Sequence, residues 1–584
     1  DATIRDFSGG WNVVDNDLNL TTKFSKTLEN MQRGIDGSNS VRPGTELFAE
    51  TSEYLDEIVN CHYYNNFIVA VGGNGNIVKI DASGVVTEIF NDNLANSLRG
   101  APDSWSTTIF ASFAIFNGDL IICNGINKPL IVNPSMVVTY LQDLADFTNV
   151  NTPIARFVIA HGRYLLMAGS LAAGDEDKLY ISATDVSGTW VSDSDPNDAV
   201  TVSLGSRVPS GSSTIKGLGR FRDKVIVFFE NAILPGTLGT FVSDTHVPDF
   251  TDAVENIGSL SHRVVQTISE DILFADTARI SSLKKALFTG SITSDNTSQL
   301  VDPVYTTTVD KVKTIAALED RTWSIWDNQS NNYMLFIPNS DVASDTTETR
   351  CFVYKKNDKL KIKAWSDWRN WNFRSGCRSA LKRIFLTEGT QVYLLGEEHN
   401  NTIFKDYEGD QEMWDDETPW DDYTGWNPVA DVRNSGVPIK FVWELPWSDN
   451  NERFLTKSSR YIGFDTAGDN RFTAEMYIDN IYKDRTDPGE TWLDGFLWDD
   501  GLGWDVDVLI PTLSMVFEGG DAPGYGLDAY GEDYGGGRPT RLEQLYPWTA
   551  RYKLAKLRFY GDATKSLQFI SIVMAYLKGS PRRS

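Results

Sequence analysis

Between Phe67 and Gly396 short apolar runs alternate with short polar turns at least six times. FIVAVGGNGNIVKID (Phe67 to Asp81) turns through GGNGN, and FAIFNGDLIICNG (Phe113 to Gly125) turns at Asn117-Gly118. RFVIAHGRYLLMAGS from Arg156 turns at His161-Gly162, and FRDKVIVFFENAIL from Phe221 turns near Arg222-Asp223. WSIWDNQSNNYMLFIP from Trp323 turns through an Asn-rich loop, and KRIFLTEGTQVYLLG from Lys382 turns at Glu388-Gly389. Each places β-branched, aromatic or aliphatic residues on both sides of a polar turn, which is the pattern of an antiparallel hairpin. Many such hairpins with little helix between them predict a mostly β chain, a β-propeller of hairpin blades with additional β-rich domains, because radial repetition leaves only short edges. A sandwich or a string of small barrels fits the same pattern. The repeats are too dissimilar to fix a blade count, and the WD40 period is missing. DKVKTIAAL predicts one helix over Asp310 to Leu318, with Val312, Ile315 and Ala316 on one face.

Outside that array the pattern changes twice. At the N-terminus, FSGGWNVVDNDLNL reads as a Gly-hinged arm. TKFSKTLENM follows, with Phe24, Leu28 and Met31 at helical spacing behind Thr21 and Thr22, and predicts a short amphipathic helix. Such a helix is too short to stand alone, and RGIDGSNSVRPGTELF then runs through turns into a first strand. Beyond residue 436, PIKFVWELPWSD, SSRYIGFDTAG, RFTAEMYIDNIY and LQFISIVMAYLKG alternate in the manner of half-buried strands. The Gly- and Tyr-rich stretch 518–541 reads as an exposed loop. The expected organisation is therefore an N-terminal arm and helix over 1–50, a propeller over 51–400, an acidic Trp-rich insertion over 401–435 and a β-rich region over 436–584.

The Trp-rich stretches alternate aromatics with paired acids: Trp414-Asp415-Asp416, Trp420-Asp421-Asp422 and Trp426, then Trp492, Trp498-Asp499-Asp500 and Trp504-Asp505. Three roles fit this composition. Clustered carboxylates in Gly-containing loops suit calcium, although the spacing of an EF-hand loop is missing. Aromatic faces beside hydrogen-bond acceptors suit sugar rings. Buried Trp at a turn or subunit contact, with its acids facing water, is the structural role.

Charge narrows the function classes. The 584 residues carry 53 basic and 80 acidic side chains, a net −27 that repels phosphates and argues against a sequence-reading nucleic-acid binder. No apolar run is long enough to span a bilayer, and the opening DATIRDF shows no secretory pattern. Cys61, Cys123, Cys351 and Cys377 are too scattered for a disulfide framework or a CxxC metal site, and are expected to be reduced, mostly buried thiols. His62, His161, His246, His262 and His399 form no zinc pair. Cys61 and His62 are adjacent, but neighbours on a strand point to opposite faces. P-loop, HExxH, GxSxG and dinucleotide motifs are missing, so no enzyme, no cofactor and no metal is expected. LYISATDVSGTW (Leu179 to Trp190) does not keep the S-x-D-x-G-x-x-W spacing of a sialidase Asp-box, and the sequence offers no arginine cluster of that class.

The arm, TKFSKTLENM and the turn-rich run, taken in that order, resemble the opening of the tail nozzle proteins of short-tailed bacteriophages, also called tail tubular protein B or phage stabilisation protein. NIGSLSHRVVQTISEDILFADTARISSL (Asn256 to Leu283), LYISATDVSGTW and LQFISIVMAYLKG resemble later segments of that family. The resemblance implies a virion protein of the tail, assembled in the host cytoplasm as a homohexamer below the adaptor ring. It would close the channel before infection and pass DNA non-specifically during ejection, with the adaptor and fibres or spikes as partners. The residues expected at subunit contacts are Trp11, Phe24, Leu28, Met31, Trp414, Trp420 and Trp498, and the arm Asp1 to Val14 is expected to reach a neighbour. The rival expectation is a carbohydrate-binding or polysaccharide-cleaving propeller on a virion or cell surface.

Overall fold

In the computed structural model most of residues 2–578 are described; the longest stretches outside the description are 92–104, 143–150, 239–248, 284–295, 339–348, 397–404, 407–436, 449–456, 479–512 and 518–540. The chain divides into two compact units, one of Glu46–Tyr354 with Arg369–Leu395, the other of Asp1–Thr45, Lys355–Trp368 and Gly396–Ser584.

The first unit is a β-propeller. Among the described residues, seven blades of antiparallel strands follow one another along the chain. Blade 1 has strands Ile58–Tyr64, Phe67–Gly72, Ile77–Ile80 and Val86–Phe90. Blade 2 starts at Ser112–Phe116, blade 3 at Phe157–His161, blade 4 at Ile215–Phe221 and blade 5 at Gln266–Ile268. Blade 6 starts at Trp323–Asp327 and blade 7 at Ser375–Arg378. Each first strand neighbours the first strand of the next blade, and that of blade 7 neighbours that of blade 1, so the seven close into a ring. Blade 7 is completed by Thr45–Glu50, which pairs outside Gln391–Leu395. A strand from before the ring thus fastens its last blade, and Thr51 donates from both N–H and Oγ1 to the Thr390 carbonyl at this seam.

All six hairpins lie where the alternation places them, and Asn117-Gly118 shows why the turns are legible. Both residues have positive φ, 53° and 91°, the conformation a two-residue hairpin of matching twist requires. The cores lie between blades. Val69, Val71, Leu120, Ile122 and Trp105 pack between blades 1 and 2, and Leu166, Leu179, Val225 and Val227 between blades 3 and 4.

The second unit joins both ends of the chain. One sheet runs Arg541–Tyr552, Lys457–Gly468, Leu567–Lys578, Asn39–Val41, Met31–Arg33, with Ala2–Ile4 also on Leu567–Lys578. Another takes Thr27–Glu29 beside Val437–Glu444, then Ala555–Ala563, Phe472–Ile478 and Leu513–Phe517. Aromatic rings fill the space between them: Phe569 lies 5.0 Å from Trp443, 5.1 Å from Phe472 and 5.4 Å from Phe559.

Three expectations are corrected here. The helix over TKFSKTLENM is absent: the segment forms short strands Phe24–Ser25, Thr27–Glu29 and Met31–Arg33. Asn30 breaks any helical run with φ 52°, donates its N–H to the Asp367 carbonyl at 2.7 Å and its Nδ2 to the Lys440 carbonyl at 2.7 Å. Strand pairing with residues distant in sequence wins over a helix too short to sustain itself. The arm is not free either, since Ala2, Thr3 and Ile4 pair with Met574, Val573 and Ile572 of the same chain. Gly10 is no hinge: at φ 70° it lies where an added Cβ would meet Ala364 and Trp365 at under 3 Å. The helix expected over Asp310 to Leu318 starts eight residues earlier: 310–313 are helical within Asp302–Lys313, and 314–319 lie outside the description. Asp302 and Pro303 supply the start signal that the apolar spacing missed.

Candidate functional site at the mouth of the propeller

The expected contact residues divide into two groups. Leu28 and Met31 are fully buried and Trp11 nearly so, its Nε1 donating to the Lys26 carbonyl at 3.1 Å; Phe24 is half-buried. Trp11, Leu28 and Met31 therefore serve the core of their own unit and have no surface to offer a partner, which corrects the expectation for them. Trp414, Trp420 and Trp498 lie outside the described residues. The four cysteines are free and buried. Cys61 and His62 do face apart, Cys61 toward the cluster holding Cys377 and His62 stacked on Phe113 at 5.5 Å.

A polar constellation that the sequence did not reveal sits where the first strands of the blades begin. Arg156, Arg321 and Arg374 stand one or two residues before the first strands of blades 3, 6 and 7, and Arg263 lies in a short 3-10 turn before that of blade 5. Arg156 pairs with Asp320, joining the entry of blade 3 to that of blade 6. Arg374 pairs with Glu57 at the entry of blade 1. Arg263 spans more of the ring. Its Nη1 donates to the Asp320 carbonyl at 3.1 Å and its Nη2 to the Arg374 carbonyl at 2.6 Å, with Asn60 Oδ1 at 3.5 Å. Its guanidinium also lies 6.0 Å from the centre of the Trp323 ring.

Neutral groups complete the belt. Asn60 Nδ2 donates to the Ala111 carbonyl at 2.6 Å, and Ser112 Oγ to the Arg156 carbonyl at 2.6 Å. The Leu218 N–H donates to His262 Nδ1 at 3.1 Å, and Gln266 Nε2 to the Ser324 carbonyl at 2.8 Å. Every blade contributes at least one group.

Burial sets the electrostatics. It pulls the Arg263 guanidinium down to about 10, and lowers Arg374 and Arg321 as well. Burial, with Arg263 and Arg156 nearby, pulls His262 down to about 4, so the ring is neutral at pH 7 and its Nδ1 is free to accept. The guanidinium groups of Arg156, Arg263 and Arg374 face the carboxylates of Asp56, Glu57 and Asp320. Arg321 Nη1 is buried with no hydrogen-bond partner. The pairs are not sealed off: the Arg156 side chain is 22% exposed and Glu57 41%. Among the described residues no group of three or more His, Cys, Asp or Glu is placed to hold a metal ion. The chemistry of the mouth is that of a guanidinium-rich surface: lacing blades together, and accepting a carboxylate or other anion.

The sequence did carry a signal for this cluster. Arg156 in IARFVIA, Arg263 in SHRVVQ, Arg321 in EDRTWS and Arg374 in NFRSGC each stand just before the first strand of a blade, and only the ring topology brings those strand entries together.

No protein-family model and no curated protein matches the chain. Among solved structures it is similar to streptogramin B lyase, at 9% identity and TM-score 0.37 over 60% of this chain and 97% of that one. It is similar to YCF48 bound to D1 peptide, at 9% identity and TM-score 0.34 over 63% and 97%. It is also similar to PorZ of Porphyromonas gingivalis, at 12% identity and TM-score 0.34 over 60% and 38%. These likenesses say nothing of this chain's chemistry, and the propeller assignment stands on its own ring of strands.

Proposed function

We propose that this chain is a structural component of the tail of a short-tailed bacteriophage, forming a hexameric nozzle that closes the channel before infection and conducts DNA during ejection. The order of segments resembling nozzle proteins motivates the reading. The observation that carries it is the architecture: the propeller is inserted into a second β unit built from both ends of the chain, with residues 27–29 paired to 442–444 and residues 2–4 to 572–574. A β unit that ties both chain ends together suits a subunit that must keep its place in a ring under load. Six copies related by rotation present one patch to a different patch of the next, which closes at a defined angle. A net charge of −27 per copy keeps DNA from adhering to the wall of the opening they enclose. The adaptor ring above and fibres or spikes beside it are the partners.

The test is the mass of the purified chain from about 1 to 100 μM, alone and with the adaptor ring, followed by imaging; this range brackets an ordinary specific assembly. A six-fold ring under either condition is expected. A monomer under both removes the proposal.

A second reading has its own observation. The partly exposed arginines at the mouth, with Arg321 Nη1 buried and unpartnered, suit a propeller that binds an acidic saccharide through its carboxylate. Calorimetric titration with oligogalacturonate and its methyl ester separates the readings: binding of the acid only, lost in Arg321→Met, supports the second, and no heat from either ligand removes it.

A further inference from the structure

We propose that Cys61 and Cys377 form a redox latch across the seam where the first and last blades of the propeller meet. Cys61 lies on the first strand of blade 1 and Cys377 on the first strand of blade 7, and these two strands are neighbours. Both side chains are buried, 3% and 5% exposed, in one apolar cluster with Ile58, Ala70, Phe385 and Val392. Ser375, two residues before Cys377 on the same strand, donates from Oγ to the Cys61 sulfur at 3.9 Å. The Cys61 side chain beside it, with burial, raises the Cys377 thiol well above its ordinary range. Of the other two cysteines, Cys123 belongs to a cluster between blades 2 and 3.

The seam is where such a bond has most effect. Every other pair of adjacent blades is joined by the chain running from one into the next. Blades 1 and 7 are joined covalently only through Thr45–Glu50, the strand that closes blade 7 before the chain enters blade 1. A bond between residues 61 and 377 turns a closure held by hydrogen bonds and packing into a covalent ring.

The oxidant is a low-molecular-weight disulfide. One cysteine, as thiolate, attacks a sulfur of the reagent and releases one reagent thiolate, leaving a mixed disulfide. The second cysteine then attacks the protein sulfur of that adduct and releases the second reagent thiolate. Two protein thiols are oxidised, one reagent disulfide is reduced to two thiols, and the two cysteine protons pass to solvent or to the leaving thiolates. With both thiols buried, the closed ring reacts slowly, and opening of the seam sets the rate.

The test incubates the full-length chain with oxidised glutathione in urea just below its unfolding transition, removes the urea, blocks free thiols under denaturing conditions and maps peptides without reduction. The expected product joins the peptides of Cys61 and Cys377, weighs two hydrogens less than the starting chain, leaves Cys123 and Cys351 open to alkylation, and unfolds in urea at least about tenfold more slowly. Cys61→Ala and Cys377→Ser, each alone, give no cross-link and no slowing. If Cys61→Ala fails to fold, Cys377→Ser carries the control. A stable glutathione adduct at either position without cross-link overturns the latch. So does a cross-link to Cys123 or Cys351, or a cross-linked chain that unfolds at the original rate.

Discussion

Replacing Arg263 with leucine removes a side chain that reaches from blade 5 to the entries of both blades 6 and 7. Two of its hydrogen bonds are short, to the carbonyls of Asp320 at 3.1 Å and Arg374 at 2.6 Å, while the third, to Asn60 Oδ1 at 3.5 Å, is long enough to neglect. A hydrogen bond from a charged group contributes ~1.5–3 kcal/mol, so the gross loss is ~3–6 kcal/mol. Desolvation works the other way. The burial that pulls Arg263 down to about 10 is a cost of holding the charge, and leucine escapes it while keeping apolar contact with Trp323. The net expected loss is ~2–4 kcal/mol, the size seen when one partner of a buried charged network is removed. Lysine in its place recovers less than half, because a single ammonium on a flexible stem does not span two carbonyls as a rigid fork does. The assay is urea unfolding followed by tryptophan fluorescence, to which Trp323 contributes. An Arg263→Leu midpoint equal to or above that of the parent chain refutes the argument, because the carbonyls of Asp320 and Arg374 would then be finding water as readily as they found the guanidinium.

Arg321→Met is expected to leave stability unchanged or raise it by ~1 kcal/mol in the same assay, because Nη1 is buried without a partner. Stability is expected to fall with acid between pH 6.5 and about 4. His62 and His262 are both pulled to about 4 in the fold, so below 6.5 the unfolded chain takes up protons that the fold refuses, and the loss levels off below 4. Each ring accounts for at most ~3 kcal/mol, reduced by the surface each retains, and His262→Gln should remove about half of the slope in midpoint against pH. Gly10→Ala should cost ~2–3 kcal/mol, from the positive φ and from contact of the new methyl with Ala364 and Trp365, and circular dichroism during heating measures it. Leu28→Ala, fully buried beside Trp443, should cost ~3–4 kcal/mol in monomer stability; a change confined to assembly would restore Leu28 as a contact residue.

What the sequence discloses follows the range of the forces involved. Hairpins are local: FNGD at 116–119 contains its own turn chemistry, so Asn117-Gly118 declares the fold of blade 2 unaided. The propeller class follows from such units. Ring closure does not, because Thr45–Glu50 meets Gln391–Leu395 across more than three hundred residues and nothing in either strand names the other. TKFSKTLENM misleads for the same reason. Its apolar spacing fits a helix, but Leu28 pairs with Trp443 and Met31 with Val41, and those partners decide the outcome. The arginines at the mouth were individually visible in IARFVIA, SHRVVQ, EDRTWS and NFRSGC, yet became a cluster only through the ring. Cys61 and Cys377 were likewise counted as scattered when the closing seam makes them neighbours.

The mouth bears directly on how a nozzle built from this chain would work. Arg263 reaches from blade 5 to the entries of blades 6 and 7, and Arg156 from blade 3 to Asp320, so guanidinium groups lace this end of the propeller axis. A duplex cannot follow that axis without breaking the lacing, and guanidinium groups freed there would hold phosphates rather than release them. If the chain conducts DNA, the path is therefore an opening enclosed by several copies, and the propeller serves as a rigid wall element whose acidic exterior faces that path. This makes a discriminating prediction for charge. Reversing three or four exposed acids on the lumen face of the assembled ring should slow ejection and steepen its dependence on salt, because each added phosphate contact is released as counterions return. Arg263→Leu should leave the ejection rate of surviving particles unchanged while lowering their heat tolerance. Equal slowing by both kinds of variant would place the DNA path through the propeller itself and overturn the assignment of the bore to the assembly.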